Sequence, residues 1–171
     1  GSEMCIRDSL LACSTATVDR TATLRPMLAL LIAAIAQTPI DPPAEAGSLA
    51  PRWSEGPGPA RLTWLEPSGD TYRLQLATLD GDTWSRPTTI AREREFFVNW
   101  ADTPGVAVAP DGSMIAYWLE MAGEGTYAYH VQIARSHDGG RTWDAHGPVH
   151  SDRSPTEHGF VSTIQEGEGH W

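Results

Sequence analysis

The sequence predicts an all-β fold, and three observations carry that prediction. Apolar residues alternate with polar ones over short runs. Glycine- and proline-bearing turns separate the runs. No segment after Ala36 sustains a helical period. The composition agrees, because 7 Trp, 16 Gly and 13 Pro in 171 residues suit many short strands joined by tight turns.

The elements follow in order from about Ala60. Leu62 and Trp64 alternate with Arg61 and Thr63. The turn Pro67-Ser68-Gly69-Asp70 follows, and Tyr72, Leu74 and Leu76 then alternate with Arg73 and Gln75. Period two on both sides of a glycine turn predicts a hairpin. Val106-Ala107-Val108, the turn Pro110-Asp111-Gly112 and Met114 through Trp118 predict a second hairpin. Tyr127, Tyr129, Val131 and Ile133, with Ala128, His130, Gln132 and Ala134 on the other face, predict a longer strand. The charge run Arg92-Glu93-Arg94-Glu95 reads as a solvated loop or strand edge.

Ahead of the strands lie three segments of different character. Residues 1–26 read as an artefactual or disordered N-terminus, because Met4-Cys5-Ile6-Arg7-Asp8-Ser9 resembles a translated transposon-end adapter. The run 27–36 is apolar throughout, follows Arg20 and Arg25, and ends in the small-x-small pattern Ala34-Ile35-Ala36. Ten apolar residues are too few to span a bilayer, which needs about 20. The segment therefore reads as the hydrophobic region of a secretory signal peptide, implying a secreted or periplasmic protein without an integral membrane span. A lipoprotein signal is the alternative, since Leu10-Leu11-Ala12-Cys13 loosely resembles a lipobox. Residues 37–59, with Pro39, Pro42, Pro43, Pro51, Pro57 and Pro59, read as a linker or irregular lead-in.

Charge narrows the function. The 22 acidic residues outnumber 12 basic ones, and the net charge is −10. No basic stripe is present, which argues against nucleic acid and against an anionic membrane surface. The two cysteines, Cys5 and Cys13, can build neither a disulfide framework nor a zinc pair with the rest of the chain. All six histidines fall between His130 and His170, but His146 and His150 are separated by Gly147-Pro148, which forbids a shared helix face. The sequence thus predicts no metal site and no cofactor.

One motif is specific. Ser136-His137-Asp138-Gly139-Gly140-Arg141-Thr142-Trp143 follows the long predicted strand. Its carboxylate can accept several backbone N–H groups inside a tight turn, Gly140 permits a positive φ, Thr142 suits the start of a returning strand, and Trp143 can pin the turn to a sheet. A shorter, degenerate copy runs from Thr78 to Trp84 and includes Asp80. Each copy is followed by a proline, Pro87 or Pro148.

The full motif resembles the Asp-box, Ser-x-Asp-x-Gly-x-Thr-Trp, of the sialidase-like (exo-α-sialidase, or BNR repeat) β-propeller family. Ser136, Asp138, Gly140, Thr142 and Trp143 fill its five positions, and Asp80 and Trp84 fill part of the copy. The resemblance implies that residues 60–171 form about two blades of a six-bladed propeller, an N-terminal fragment of one. A β-sandwich with one such turn is the alternative. Two blades alone would leave an unpaired edge and an uncapped core, so poor stability is expected of the chain by itself.

The same resemblance implies a fragment of an exported glycoside hydrolase acting on sialylated or related glycans. Its alternative is a non-catalytic propeller that binds a glycan or a protein partner. In the family the Asp-box lies on the outer rim, so Asp138 is expected to be structural. Sialidases use an arginine cluster, a Tyr assisted by a Glu, and an Asp as general acid-base. They also tend to carry a Phe/Tyr-Arg-Ile-Pro segment, and this sequence does not. The candidate site residues precede inner strands: Asn99, Trp100 and Asp102 before the second hairpin, and Glu157 and His158 before a strand expected at Phe160-Val161. Asp102 and Glu157 are the candidate acid-base or catalytic carboxylates, and Asn99, Trp100 and His158 the candidate substrate contacts. The competing reading is that these side chains cap strand ends.

Overall fold

The structure is a computed structural model that describes residues 39–93, 95–166 and 171. The segment 1–26, the apolar run 27–36 and both cysteines lie outside the described residues, so the fold is that of the unit Ile40–Trp171. The described residues are all-β. Their ten strands follow in order: β1 Leu49–Trp53, β2 Arg61–Ser68, β3 Thr71–Asp80, β4 Thr83–Trp84, β5 Thr88–Glu93, β6 Phe96–Phe97, β7 Gly105–Val108, β8 Met114–Met121, β9 Tyr129–Ser136 and β10 Asp144–Pro148. Among the described residues no helix is long and apolar enough to cross a membrane.

The strands form two antiparallel sheets with matching layouts. In the first, β1, β2 and β3 run in sequence, and the far edge of β3 is shared by β5 along Tyr72–Leu76 and β4 at Leu79–Asp80. In the second, β10, β9 and β8 run in order, and the far edge of β8 is shared by β7 along Met114–Tyr117 and β6 at Leu119–Glu120. Each sheet is therefore a meander four strands deep with one split edge. Both expected hairpins are present, as β2–β3 closed by Gly69-Asp70 and as β7–β8.

The sheets bury their apolar sides against each other. Leu76 of the first sheet clusters with Val106, Val108, Met114 and Ala116 of the second. Leu65 and Leu74 cluster with Trp118 and Ala134. Ile90 and Trp143 touch both clusters. Removing one of these large side chains would cost about 2–5 kcal/mol, the usual range for cavities in a packed core.

The Ser136–Trp143 motif occupies the β9–β10 turn. Oδ1 of Asp138 accepts the Thr142 N–H at 2.9 Å, the Arg141 N–H at 3.0 Å and the Ser136 hydroxyl at 2.9 Å, while Oδ2 accepts the Thr142 hydroxyl at 2.7 Å. Ser136 Oγ in turn accepts the Gly140 N–H at 2.9 Å. The carboxylate thus stands in for a length of secondary-structure ladder, satisfying backbone donors that the sharp turn leaves without partners. Trp143 Nε1–H donates to the Gly140 carbonyl at 3.2 Å, and its ring packs on both inter-sheet clusters. Gly140 has φ +86°, and a Cβ there would lie 2.8 Å from Leu76 Cδ2. The returning strand β10 starts at Asp144, two residues after Thr142.

Four expectations are corrected. First, the Pro-rich segment 37–59 is not only a linker, because it supplies β1, which pairs with β2. Leu49 faces Leu65 and Arg52 faces Thr63, so Ala50 and Pro51 together oppose Trp64 in a β-bulge. Ala50 has φ +52°, and Pro51 sits where its missing N–H breaks no regular ladder. Second, the turn after Asp80 is a two-residue hairpin, Gly81-Asp82, rather than a carboxylate-filled box. Asp80 is exposed at the strand end, and the Thr83 hydroxyl bonds Asp82 instead. Trp84 stacks on Trp53 at 6.0 Å, with 19° between the planes, and packs on Leu62, Trp64 and Ala77. Third, the long strand begins at Tyr129, because Tyr127 lies in the preceding turn. Fourth, no strand forms at Phe160-Val161, because Phe160 has φ +62°, outside the β region.

A buried carboxylate, Glu66, also stabilises the first sheet. It is 4 % exposed and accepts from Arg73 Nη2 at 2.7 Å, Gln75 Nε2 at 3.0 Å, Trp64 Nε1 at 3.3 Å and the Glu45 N–H at 3.3 Å. Burial alone would raise its pKa. The donors from Gln75, Trp64 and Glu45 and the charge of Arg73 outweigh burial and lower it.

Candidate functional site

Two places gather chemistry-bearing side chains. The first is a cleft of about 160 Å³ lined by Arg52, Asp102, Thr103, Tyr117, Trp118 and Phe160, among others. Arg52 reaches it from β1 directly after the bulge, a backbone device that re-aims a side chain. Its guanidinium donates to Glu55 Oε1 at 2.9 Å and to Thr103 Oγ1 at 3.4 Å, and lies 5.6 Å from the centroid of the Tyr117 ring. Burial raises the Tyr117 pKa, Arg52 opposes that, and Glu55 adds to it. The segment carrying Arg52 and Glu55 is tied to the second sheet through backbone bonds from the Glu55 N–H to the Val106 carbonyl at 3.1 Å and from the Val108 N–H to the Glu55 carbonyl at 2.8 Å.

Asp102 also lines the cleft, and it is oriented by Asn99. The Asn99 carbonyl oxygen Oδ1 accepts the N–H groups of Ala101 and Asp102, each at 2.7 Å, which closes an Asx turn. Asn99 Nδ2 donates to Asp102 Oδ2 at 2.8 Å. Asp102 is 8 % exposed. Trp100, at the tip of the same loop, is 95 % exposed. Phe160 lines the cleft while holding a left-handed backbone conformation, the kind of local strain found where a side chain is positioned for a ligand.

Glu157 and His158 are not part of this cleft lining. Glu157 Oε1 accepts the hydroxyl of Tyr129 at 3.2 Å, and the two residues form an isolated parallel bridge. Tyr129 is 1 % exposed, and its phenol is pushed up to about 12, first by burial, then by the bond to Glu157, with the charges of Asp102 and Glu157 adding to the effect. A phenol so shifted is the opposite of an activated nucleophile. The structure therefore groups Asn99 with Asp102, Glu157 with Tyr129, and His158 with two other histidines.

Those histidines form the second place. His130 on β9, His150 just after β10 and His158 offer ring nitrogens that lie within 4.8 Å of one another. The rings of His150 and His158 stack at 3.9 Å with 4° between planes, and His130 tilts across both at 5.0 and 5.2 Å. Burial, then the neighbouring His150 and His158, lowers the His130 pKa, so the neutral ring is favoured. This cluster escaped the sequence reading because its members come from one strand and two loops, with no fixed spacing to signal it. Arg52 escaped as well, hidden in the proline-rich lead-in.

No family model matches this chain, and no curated protein matches it.

Proposed function

We propose that the chain is part of an exported, Asp-box propeller protein that binds a glycan in the Arg52–Asp102 cleft without cleaving it. The observation that supports this reading is the lining of that cleft. A guanidinium aimed from a bulge and a carboxylate held by Asn99 stand beside the aromatic residues Tyr117, Trp118 and Phe160. Carbohydrates are recognised by such a mixture, with polar groups fixing hydroxyls or a carboxylate and ring faces covering C–H surfaces. Arg52 can hold a sugar carboxylate or ring oxygen, and Asp102 Oδ1 can accept a hydroxyl. The cleft is below the about 300–1,000 Å³ of typical ligand sites, which fits one sugar ring rather than a long chain.

Tyr129 gives the hydrolase alternative no support. It is buried, donates to the exposed Glu157 at 3.2 Å, and its phenol is raised to about 12. The two matching meanders and the filled Asp-box support the propeller part of the reading. The apolar run 27–36 supports export.

The test is a calorimetric titration of the full chain with sialylated and neutral oligosaccharides, beside an assay with a fluorogenic sialoside. Saturable binding that falls about 10- to 100-fold in Arg52→Ala, with no turnover, is the expected result. Turnover would restore the hydrolase reading. Absence of binding to any glycan would remove the proposal.

A further inference from the structure

The three-histidine cluster lies outside the cleft, and the glycan reading makes no use of it. Its hydrogen bonds fix which ring nitrogens can act as bases. His150 Nδ1 faces the Asp152 carbonyl at 2.6 Å. A carbonyl only accepts, so that nitrogen carries the proton and Nε2 presents its lone pair. His158 Nδ1 lies 2.9 Å from the Thr156 carbonyl and 3.2 Å from the Tyr129 carbonyl, which likewise leaves Nε2 as the base. Nε2 of His150 and Nδ1 of His130 are both buried without a hydrogen-bond partner among the described residues. Backbone carbonyls that hold the far nitrogen of an imidazole are the usual outer support of a metal-bound histidine.

Asp152 supplies the charge. Its Oδ1 accepts the Ser154 N–H at 2.8 Å, and its Oδ2 lies 3.5 Å from His158 Nε2. Asp152 is exposed, so the cluster has a solvent-facing side through which an ion can enter. We propose that His130, His150 and His158 bind one divalent transition-metal ion through His130 Nδ1, His150 Nε2 and His158 Nε2, with the Asp152 carboxylate as the nearest anionic group. Three neutral imidazoles and a carboxylate select zinc-like ions over calcium or magnesium, which prefer all-oxygen shells. Tetrahedral ligation at about 2.0–2.1 Å brings ligand nitrogens to roughly 3.3 Å of one another, so the stacked rings must splay slightly and draw inward on binding.

The experiment titrates the metal-stripped full chain with Zn²⁺, and with Co²⁺ as a spectroscopic probe, in a Cys5→Ser/Cys13→Ser background that removes competing thiolates. One equivalent is expected to bind, with the visible absorption of a four-coordinate Co²⁺ site. His150→Ala and His158→Ala should each weaken binding by about 100-fold or more, and Asp152→Asn by about 10- to 100-fold. His146→Ala, at an exposed histidine outside the cluster, should leave it unchanged. X-ray absorption of the Zn²⁺-loaded unsubstituted cluster should count three imidazoles, a readout that does not depend on any variant folding. No saturable binding, binding indifferent to the cluster variants, or fewer than three imidazoles in the absorption spectrum would overturn the assignment.

Discussion

Thr142 bonds Asp138 twice, its backbone N–H at 2.9 Å and its hydroxyl at 2.7 Å. These two bonds, followed by those from Ser136 and the Arg141 N–H, hold the Asp138 carboxyl well below the usual carboxylate range. The folded pKa therefore lies under the unfolded one, about 3.9. The stabilisation is complete above the unfolded value and is lost as pH falls through the folded one. Asp138→Asn is expected to lower the melting temperature at pH 7 and to flatten the loss of stability below about pH 4. Asp80→Asn, in the hairpin that lacks these bonds, should change neither. Thermal melts of both variants from pH 2 to 7 check the contrast.

Gly140 and Gly139 separate backbone conformation from packing. Both have positive φ, at +86° and +76°. A Cβ at Gly139 meets nothing within 4 Å, whereas at Gly140 it meets Leu76 Cδ2 at 2.8 Å and Met114 Sδ at 3.3 Å. Gly139→Ala should cost about 1–2 kcal/mol for the left-handed backbone alone. Gly140→Ala should cost about 1–3 kcal/mol more, because two core side chains must give way. Equal losses in chemical denaturation would contradict the placement of this turn against the inter-sheet core.

Glu66 tests whether the first sheet depends on a buried charge. Glu66→Gln would set an amide against the donors Arg73 and Gln75, or against Trp64 and the Glu45 N–H. A loss of about 3–5 kcal/mol is expected, as for removing one partner of a buried pair. Its folded pKa is lowered, so the stabilisation it provides persists above the unfolded value, about 4.3, and fades as pH falls below it. Denaturation midpoints of the variant and the parent should converge in acid.

Tyr129 carries the opposite sign. Its phenol is raised to about 12, so the stabilisation is fully present below the unfolded value near 10 and is lost as pH rises toward 12. Absorbance titration should show a tyrosine that ionises about two units later than an exposed one, and Tyr129→Phe should delete that late step. The same variant should lose about 0.5–1.5 kcal/mol, the net worth of the bond to Glu157.

Much of the fold was legible because its strands obey a simple period. Leu62, Trp64, Leu74 and Leu76 alternate with polar residues and mark the hairpin, although both of its faces are buried, Leu62 and Trp64 on one and Leu74 and Leu76 on the other, and the Ser136–Trp143 motif lies at the β9–β10 turn. The first strand was hidden because proline content dominates 37–59, and only the bulge that houses Pro51 reconciles it with a sheet. The strand expected at Phe160-Val161 failed because a left-handed backbone at Phe160 leaves no mark on local apolar pattern. Asn99 and Asp102 stand out in the sequence as a polar cluster before the second hairpin, and the structure joins them by a hydrogen bond. Their partnership with Arg52 was not legible there, since it depends on β7 and the end of β1 meeting through Glu55. The histidine cluster is likewise a product of tertiary convergence, not spacing.

The cleft between Arg52 and Asp102 is most directly tested by nuclear magnetic resonance of the isotopically labelled full chain, titrated with a sialylated trisaccharide. Saturable shifts confined to signals of Arg52, Asp102, Tyr117 and Phe160, and absent from Arg52→Ala, are the predicted result. Shifts that persist unchanged in Arg52→Ala, or that centre on the exposed Trp100 instead, would contradict the account.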